Sequence, residues 1–130
     1  MRWWQALPVS VALVVGIAGS AAGGTTAAPT FSVREYPVPA GSRPHDVAPA
    51  RDGGVWYTAQ GTGELGWLDP KTGRTRHVAL GARSAPHGVI VGPDGAPWIT
   101  DSGLNAIVRV DPRTRRVRRF PLPALRAMPT

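Results

Sequence analysis

The chain repeats itself at a spacing of 42 residues without a gap. Pro44-His45-Asp46-Val47 returns as Pro86-His87-Gly88-Val89, and Asp52-Gly53 as Asp94-Gly95. Trp56 and Thr58 return as Trp98 and Thr100, Gly61 as Gly103, and Asp69-Pro70 as Asp111-Pro112. Thr72, Arg74 and Arg76 return as Thr114, Arg116 and Arg118. A partial third copy brackets the unit: Tyr36-Pro37-Val38-Pro39 matches Val78-Ala79-Leu80-Gly81, which matches Phe120-Pro121-Leu122-Pro123. Each unit must adopt one substructure and bury its apolar faces against its neighbours.

A period of this length with Trp and Asp-Gly landmarks fits propeller blades or helical repeats of the HEAT type. Local pattern decides between them. Pro and Gly, 14 and 16 residues, break the chain every ten positions or so. No stretch beyond the N-terminus carries an apolar stripe at helical spacing, whereas short β-rich runs lie between turn signals. The fold class is therefore all-β: two four-stranded β-propeller blades plus one extra strand, a partial propeller over 31–123. First strands are expected at His45–Ala48 and His87–Val91, second strands at Val55–Ala59 and Pro97–Asp101. Third strands are expected at Glu64–Asp69 and Ala106–Asp111, fourth strands at Thr75–Leu80 and Val117–Leu122. Asp52, Asp69, Asp94 and Asp111 read as turn residues, because Asp caps local backbone and Gly accepts positive φ. Phe31–Val38 is expected as a lone strand equivalent to a fourth strand.

The first 30 residues read differently. Arg2 precedes an apolar run, Leu7–Ala18, and a small polar stretch with Ser20-x-Ala22 as a cleavage site. That is the layout of a secretory signal peptide, with an uncleaved anchor as the alternative. The protein is expected to be secreted or extracytoplasmic. It contains no Cys, which excludes disulfides and a Cys-linked lipid. Residues 124–130 form a tail. The net charge is +7 from 14 Arg and Lys71 against eight acids. Export argues against nucleic acid as the partner and makes an anionic envelope polymer the natural one for the run Arg113, Arg115, Arg116, Arg118 and Arg119. The bland alternatives are solubility and an outer strand charged against edge pairing.

The blade pattern resembles the streptogramin B lyase (virginiamycin B lyase) family, with NHL-like β-propeller repeats. Val33-Arg34-Glu35-Tyr36-Pro37-Val38-Pro39 is similar to its recurrent "EFPLP" strand. Pro-His-x-Val, Asp-Gly, Trp-Ile-Thr-Asp and Asp-Pro are similar to the rest of its blade. The resemblance implies a seven-bladed ring and a magnesium-dependent C–O lyase that opens a cyclic depsipeptide antibiotic at its ester by elimination. It places the family's two histidines on His45 and His87. One catalytic Glu falls on Ala85, a departure, and another falls near Asp101 or Ser102. Imidazole is the natural base for such a reaction near neutral pH. The same Pro-His also begins each inner strand, and its recurrence favours a scaffold role, since a scaffold residue repeats and a catalytic one need not. His77 reads as a solvated outer residue and Trp67 as an exposed one, while Trp56 and Trp98 read as blade packing.

Two blades cannot close a ring, and repeats of this kind need neighbours on both faces. The chain is therefore expected either to associate with copies of itself or to be a truncated relative of a longer protein. A non-catalytic module binding a protein or anionic glycan is the second functional class, and Ala85 favours it. Export carries a direct test: mass spectrometry of the protein from its native host is expected to find an N-terminus created near Ala22, and intact Met1–Thr30 in the cytosol would refute it.

Overall fold

The computed structural model describes Ala28 and residues 30–123. The segment read as a signal peptide, apart from Ala28 and Thr30, and the 124–130 tail lie outside the described residues. Contacts divide the chain into Met1–Val33 and Arg34–Thr130. The second unit holds eight strands: β1 Pro44–Pro49, β2 Val55–Ala59, β3 Glu64–Leu68, β4 Thr75–Ala79, β5 Pro86–Val91, β6 Pro97–Asp101, β7 Ala106–Val110 and β8 Val117–Pro121. They form two antiparallel meanders, in spatial order β1-β2-β3-β4 and β5-β6-β7-β8. The expected strands thus occur within a residue or so of their anticipated ends.

The turns explain why each sheet folds locally. Between β1 and β2, Asp52 Oδ1 accepts the Gly54 N–H at 3.1 Å and Gly53 sits at φ +84°. Between β5 and β6, Asp94 Oδ1 accepts the Ala96 N–H at 3.1 Å and Gly95 sits at φ +81°. The Asp-Pro turns work the same way. Asp69 Oδ1 accepts from Lys71 N, and Asp111 Oδ1 from Arg113 N, each at 2.9 Å. These hydrogen bonds hold both carboxyls of the Asp-Pro turns below the usual carboxylate value. The Thr72 hydroxyl is the leading cause at Asp69 and the Thr114 N–H at Asp111.

One hydrophobic core joins the sheets. Ala48, Trp56, Leu65 and Leu80 from the first blade and its end pack with Val89, Ile99, Ala106, Val108 and Val110 of the second. Even positions of β2 therefore face the second blade, and odd positions of β6 face the first. Polar links cross the seam as well, among them Arg119 donating to the Leu80 carbonyl through Nε at 2.9 Å and Arg51 donating to the Pro93 carbonyl.

Three expectations are corrected. Phe31–Val38 is not a strand: none of it pairs in a ladder. A fourth-strand equivalent needs a third strand beside it, and among the described residues no strand precedes β1. What remains is a tether, the Tyr36 hydroxyl donating to the Pro70 carbonyl at 2.8 Å. Trp67 is half-buried against the core, with Nε1 donating to Asp52 Oδ1 at 3.1 Å and Arg76 stacked 4.3 Å over its ring. His77 is half-buried too, its Nε2 hydrogen-bonded to the buried Tyr57 hydroxyl.

The repeat extends to backbone conformation. Gly73 at φ +74° and its counterpart Arg115 at φ +60° occupy the same turn position. A side chain pays roughly 1 kcal/mol to hold the left-handed region, which Gly enters freely. A Cβ at Gly73 would make only ordinary contact, 3.7 Å from the Tyr36 ring, so the difference is conformational. Arg115→Gly is expected to raise stability by about 1 kcal/mol and Gly73→Ala to lower it by about as much, read from urea midpoints.

Candidate functional site

The heads of β1 and β5 are bulged. Pro44 pairs with Ala59 but Val47 with Tyr57, so one extra residue sits on β1; Pro86 and Val89 repeat the irregularity against Asp101 and Ile99. A bulge leaves a backbone N–H without its ladder partner. The recurrent threonine supplies one. Thr58 Oγ1 accepts the Asp46 N–H at 3.0 Å, and Thr100 Oγ1 accepts the Gly88 N–H at 2.9 Å. Thr58 is buried and also donates to the His87 carbonyl at 2.9 Å, which ties the second blade's bulge to the first.

These bulges aim both histidines at one place. His45 and His87 are exposed, with ring centroids 3.8 Å apart and a tilt of 41° between planes. Asp46 stands beside them. Its Oδ2 accepts the Val89 N–H at 2.8 Å. That hydrogen bond, with a second from Val47 N–H, holds the carboxyl below its ordinary value against the opposing effect of desolvation; the two histidines add smaller lowering effects. Asp46 is thus a fixed anion at the joint of the two blades.

Asp101 serves differently. It is buried on β6, opposite Pro86. Its oxygens accept from Ser84 Oγ, Ala85 N (2.9 Å) and Leu104 N (3.0 Å). The carboxylate is spent on holding the approach to β5 and the turn after β6. Ser102 is exposed, and its Oγ donates to the Ala85 carbonyl at 3.1 Å. The structure therefore brings His45 and His87 together and gives Asp101 internal work.

Asp46 and Thr58 escaped the sequence reading. Thr58 stands in the sequence only as a repeated residue, with no task assigned to it. Asp46 carried a signal, since an acid stands where the second unit has Gly88, and a break in a repeat marks a position with a local task.

Magnesium does not fit the described residues. Among them no group of three or more His, Asp or Glu side chains could hold a metal ion. Magnesium prefers oxygen ligands, Asp46 already accepts two backbone N–H groups, and Ala85 offers none.

Two stacked four-stranded blades with paired histidines at the heads of their inner strands define a partial β-propeller. The chain belongs to the Virginiamycin B lyase family, whose match covers residues 21–130. It is similar to a streptogramin B lyase structure at 26% identity and TM-score 0.59, over 65% of this chain and 28% of that one. It is similar to a selenomethionine-substituted virginiamycin B lyase from Staphylococcus aureus at 25% identity and TM-score 0.66, over 72% and 32%. A catalytically inactive virginiamycin B lyase from Staphylococcus aureus with quinupristin aligns at 26% identity and TM-score 0.60, over 65% and 28%. The chain thus spans about a third or less of the length of these proteins. No curated protein matches it.

The Asp46 link has a pH signature. A carboxyl lowered in the folded chain stabilises fully above its ordinary value of 3.8, and that contribution is lost as pH falls through the lower folded value. Asp46→Asn keeps an acceptor for Val89 but loses the charge. The variant is expected to melt below the parent at neutral pH and to converge with it in acid as pH falls through the lowered folded value, as followed by circular dichroism.

Proposed function

We propose that the chain carries the histidine pair of a C–O lyase acting on streptogramin B antibiotics, and that two blades alone turn over at close to background. The observation that supports this is the His45–His87 pair, two solvent-facing imidazoles side by side at the blade joint. In the elimination, a base takes a proton from a carbon next to a carbonyl. The electron pair left behind forms a C=C bond, the neighbouring C–O bond breaks, and the ester leaves as a carboxylate. One imidazole is suited to accept that proton and the other, when protonated, to steady the departing carboxylate.

The low rate follows from what surrounds the pair. Ala85 leaves no carboxylate two residues before His87. Both histidines are open to water, where electrostatic stabilisation of developing charge is weak. A positioned base contributes about 10²–10⁴-fold, and much of that depends on geometry held by a closed site.

Incubation of the full chain with a streptogramin B antibiotic, with and without magnesium, provides the test. Antibiotic is expected to shift the imidazole proton resonances of both His45 and His87. Any linear product is expected to keep the mass of the ring, because elimination adds no water, and to vanish in His45→Ala and His87→Ala. A product heavier by one water, or unshifted histidines, would refute the lyase reading. Fast turnover by the full chain would refute the claim of near-background activity.

A further inference from the structure

At the other end of β1 from His45, past Pro49, the seam between the two blades opens into a groove of about 310 Å³. Small-molecule sites run from roughly 300 to 1,000 Å³, so a compact ligand fits. Part of the lining is the edge of the core: Trp56 and Val110 are buried and Val78 is half-buried. Trp67 lines it too, with the Arg76 guanidinium 4.3 Å over its ring. A guanidinium stacked on an aromatic face still presents its planar fork of N–H donors. The second blade's Asp-Pro turn brings Arg113 and Arg115, and Arg51 crosses the seam to the Pro93 carbonyl.

The charges of this groove do not balance. Asp52 accepts the Gly54 N–H and the Trp67 indole N–H, and Asp111 accepts the Arg113 and Thr114 N–H groups. Asp94 is paired with Arg109. The carboxylates are thus committed to their own turns. Arg51, Arg76, Arg113 and Arg115 are all exposed, and none of them is ion-paired with an acid among the described residues. With Asp94 neutralised by Arg109, the guanidiniums outnumber the remaining carboxylates, Asp52 and Asp111.

Two of these arginines break the repeat. Arg51 stands where the second unit has Pro93, and Arg115 where the first has Gly73. Arg51 has a structural task, its link across the seam. Arg115 has none that needs a side chain. Its N–H donates to the Asp111 carbonyl at 2.8 Å, and Gly73 makes the same bond to the Asp69 carbonyl at 2.7 Å. Yet Arg115 holds φ +60°, which glycine would hold without strain. Residues kept in costly backbone conformations cluster where they clamp ligands.

We propose that this groove binds a small organic anion, a carboxylate carried on an apolar body. The body lies against Trp56, Val78 and Val110, and the carboxylate is held by the guanidiniums of Arg76, Arg113 and Arg115. Arginine takes a carboxylate through paired N–H donors, which gives geometry as well as charge. A bare inorganic anion would leave the apolar lining unfilled, and a neutral molecule would leave the guanidiniums unanswered. An anionic polymer along the outer arginines would be read through charge spread over the surface and would not need the lining. The site is built from the seam between two blades and stands whether or not the histidines are catalytic.

Naphthoate is the probe, titrated into the full chain by calorimetry, with the Trp67 indole N–H resonance reporting where it binds. Naphthamide supplies the same body without the charge, and inorganic phosphate supplies charge without the body. Naphthoate is expected to bind about tenfold tighter than either and to shift the Trp67 resonance. Arg115→Gly is expected to weaken naphthoate about tenfold while raising the urea midpoint, a split that a merely structural residue would not give. Arg113→Gln, on the same turn, reads the same loss if Arg115→Gly fails to fold. The double variant Lys71→Gln with Arg118→Gln removes charge outside the groove and is expected to leave the affinity unchanged. Naphthoate that does not bind, naphthamide or phosphate that binds as tightly, or an Arg115→Gly chain that binds like the parent would each overturn the proposal. Equal weakening by the double variant would overturn it too, in favour of a polymer contact spread over the surface.

Discussion

The buried Thr58 hydroxyl is the joint on which the rest of the structure turns. It accepts the N–H that the β1 bulge sets free and donates to a carbonyl of the next blade. A single small group thereby solves two problems. A buried N–H without a partner costs on the order of 1–3 kcal/mol, so the bulge exists only with an acceptor at this height. The bulge in turn points His45 outward and brings Asp46 to the Val89 N–H. Side-chain placement, strand irregularity and blade stacking are therefore one event and not three.

Much of the architecture was legible because repetition and turn chemistry agree. Asp-Gly and Asp-Pro sit at equal spacing, and each Asp caps the backbone two residues on, so strand ends could be read to within a residue or so. What escaped legibility was everything that depends on a neighbour. Phe31–Val38 has the composition of a strand, but a strand is defined by its ladder, and composition carries no information about whether a partner is present. His77 reads as solvated because it sits on a fourth strand where the second unit has Arg119; its hydrogen bond comes from Tyr57, two strands away in the sheet.

The site divides in the same way. His45 and His87 stood out as residues whose chemistry is useful near neutral pH, and they do meet. Asp101 is singled out only by the family resemblance, which places an acid near it. Its burial among Ser84, Ala85 and Leu104 could not be read from spacing, since those donors come from a loop on the far side of β5 and from its own turn. Ala85 illustrates the opposite case. Its backbone N–H helps hold the fold's geometry through Asp101 while its methyl side chain offers no acid, base or ligand.

The capping aspartates carry a consequence for how such chains diverge. In one blade the Asp52 carboxylate takes the indole N–H of Trp67; in the other the Asp94 carboxylate takes the guanidinium of Arg109. The acceptor stays and the donor is exchanged, from a neutral aromatic to a cation, while the backbone around it keeps its register. A turn built this way is a socket indifferent to its plug. Surface character can then drift blade by blade without disturbing the frame, and kinship among these proteins persists in their backbones long after it has faded from their side chains.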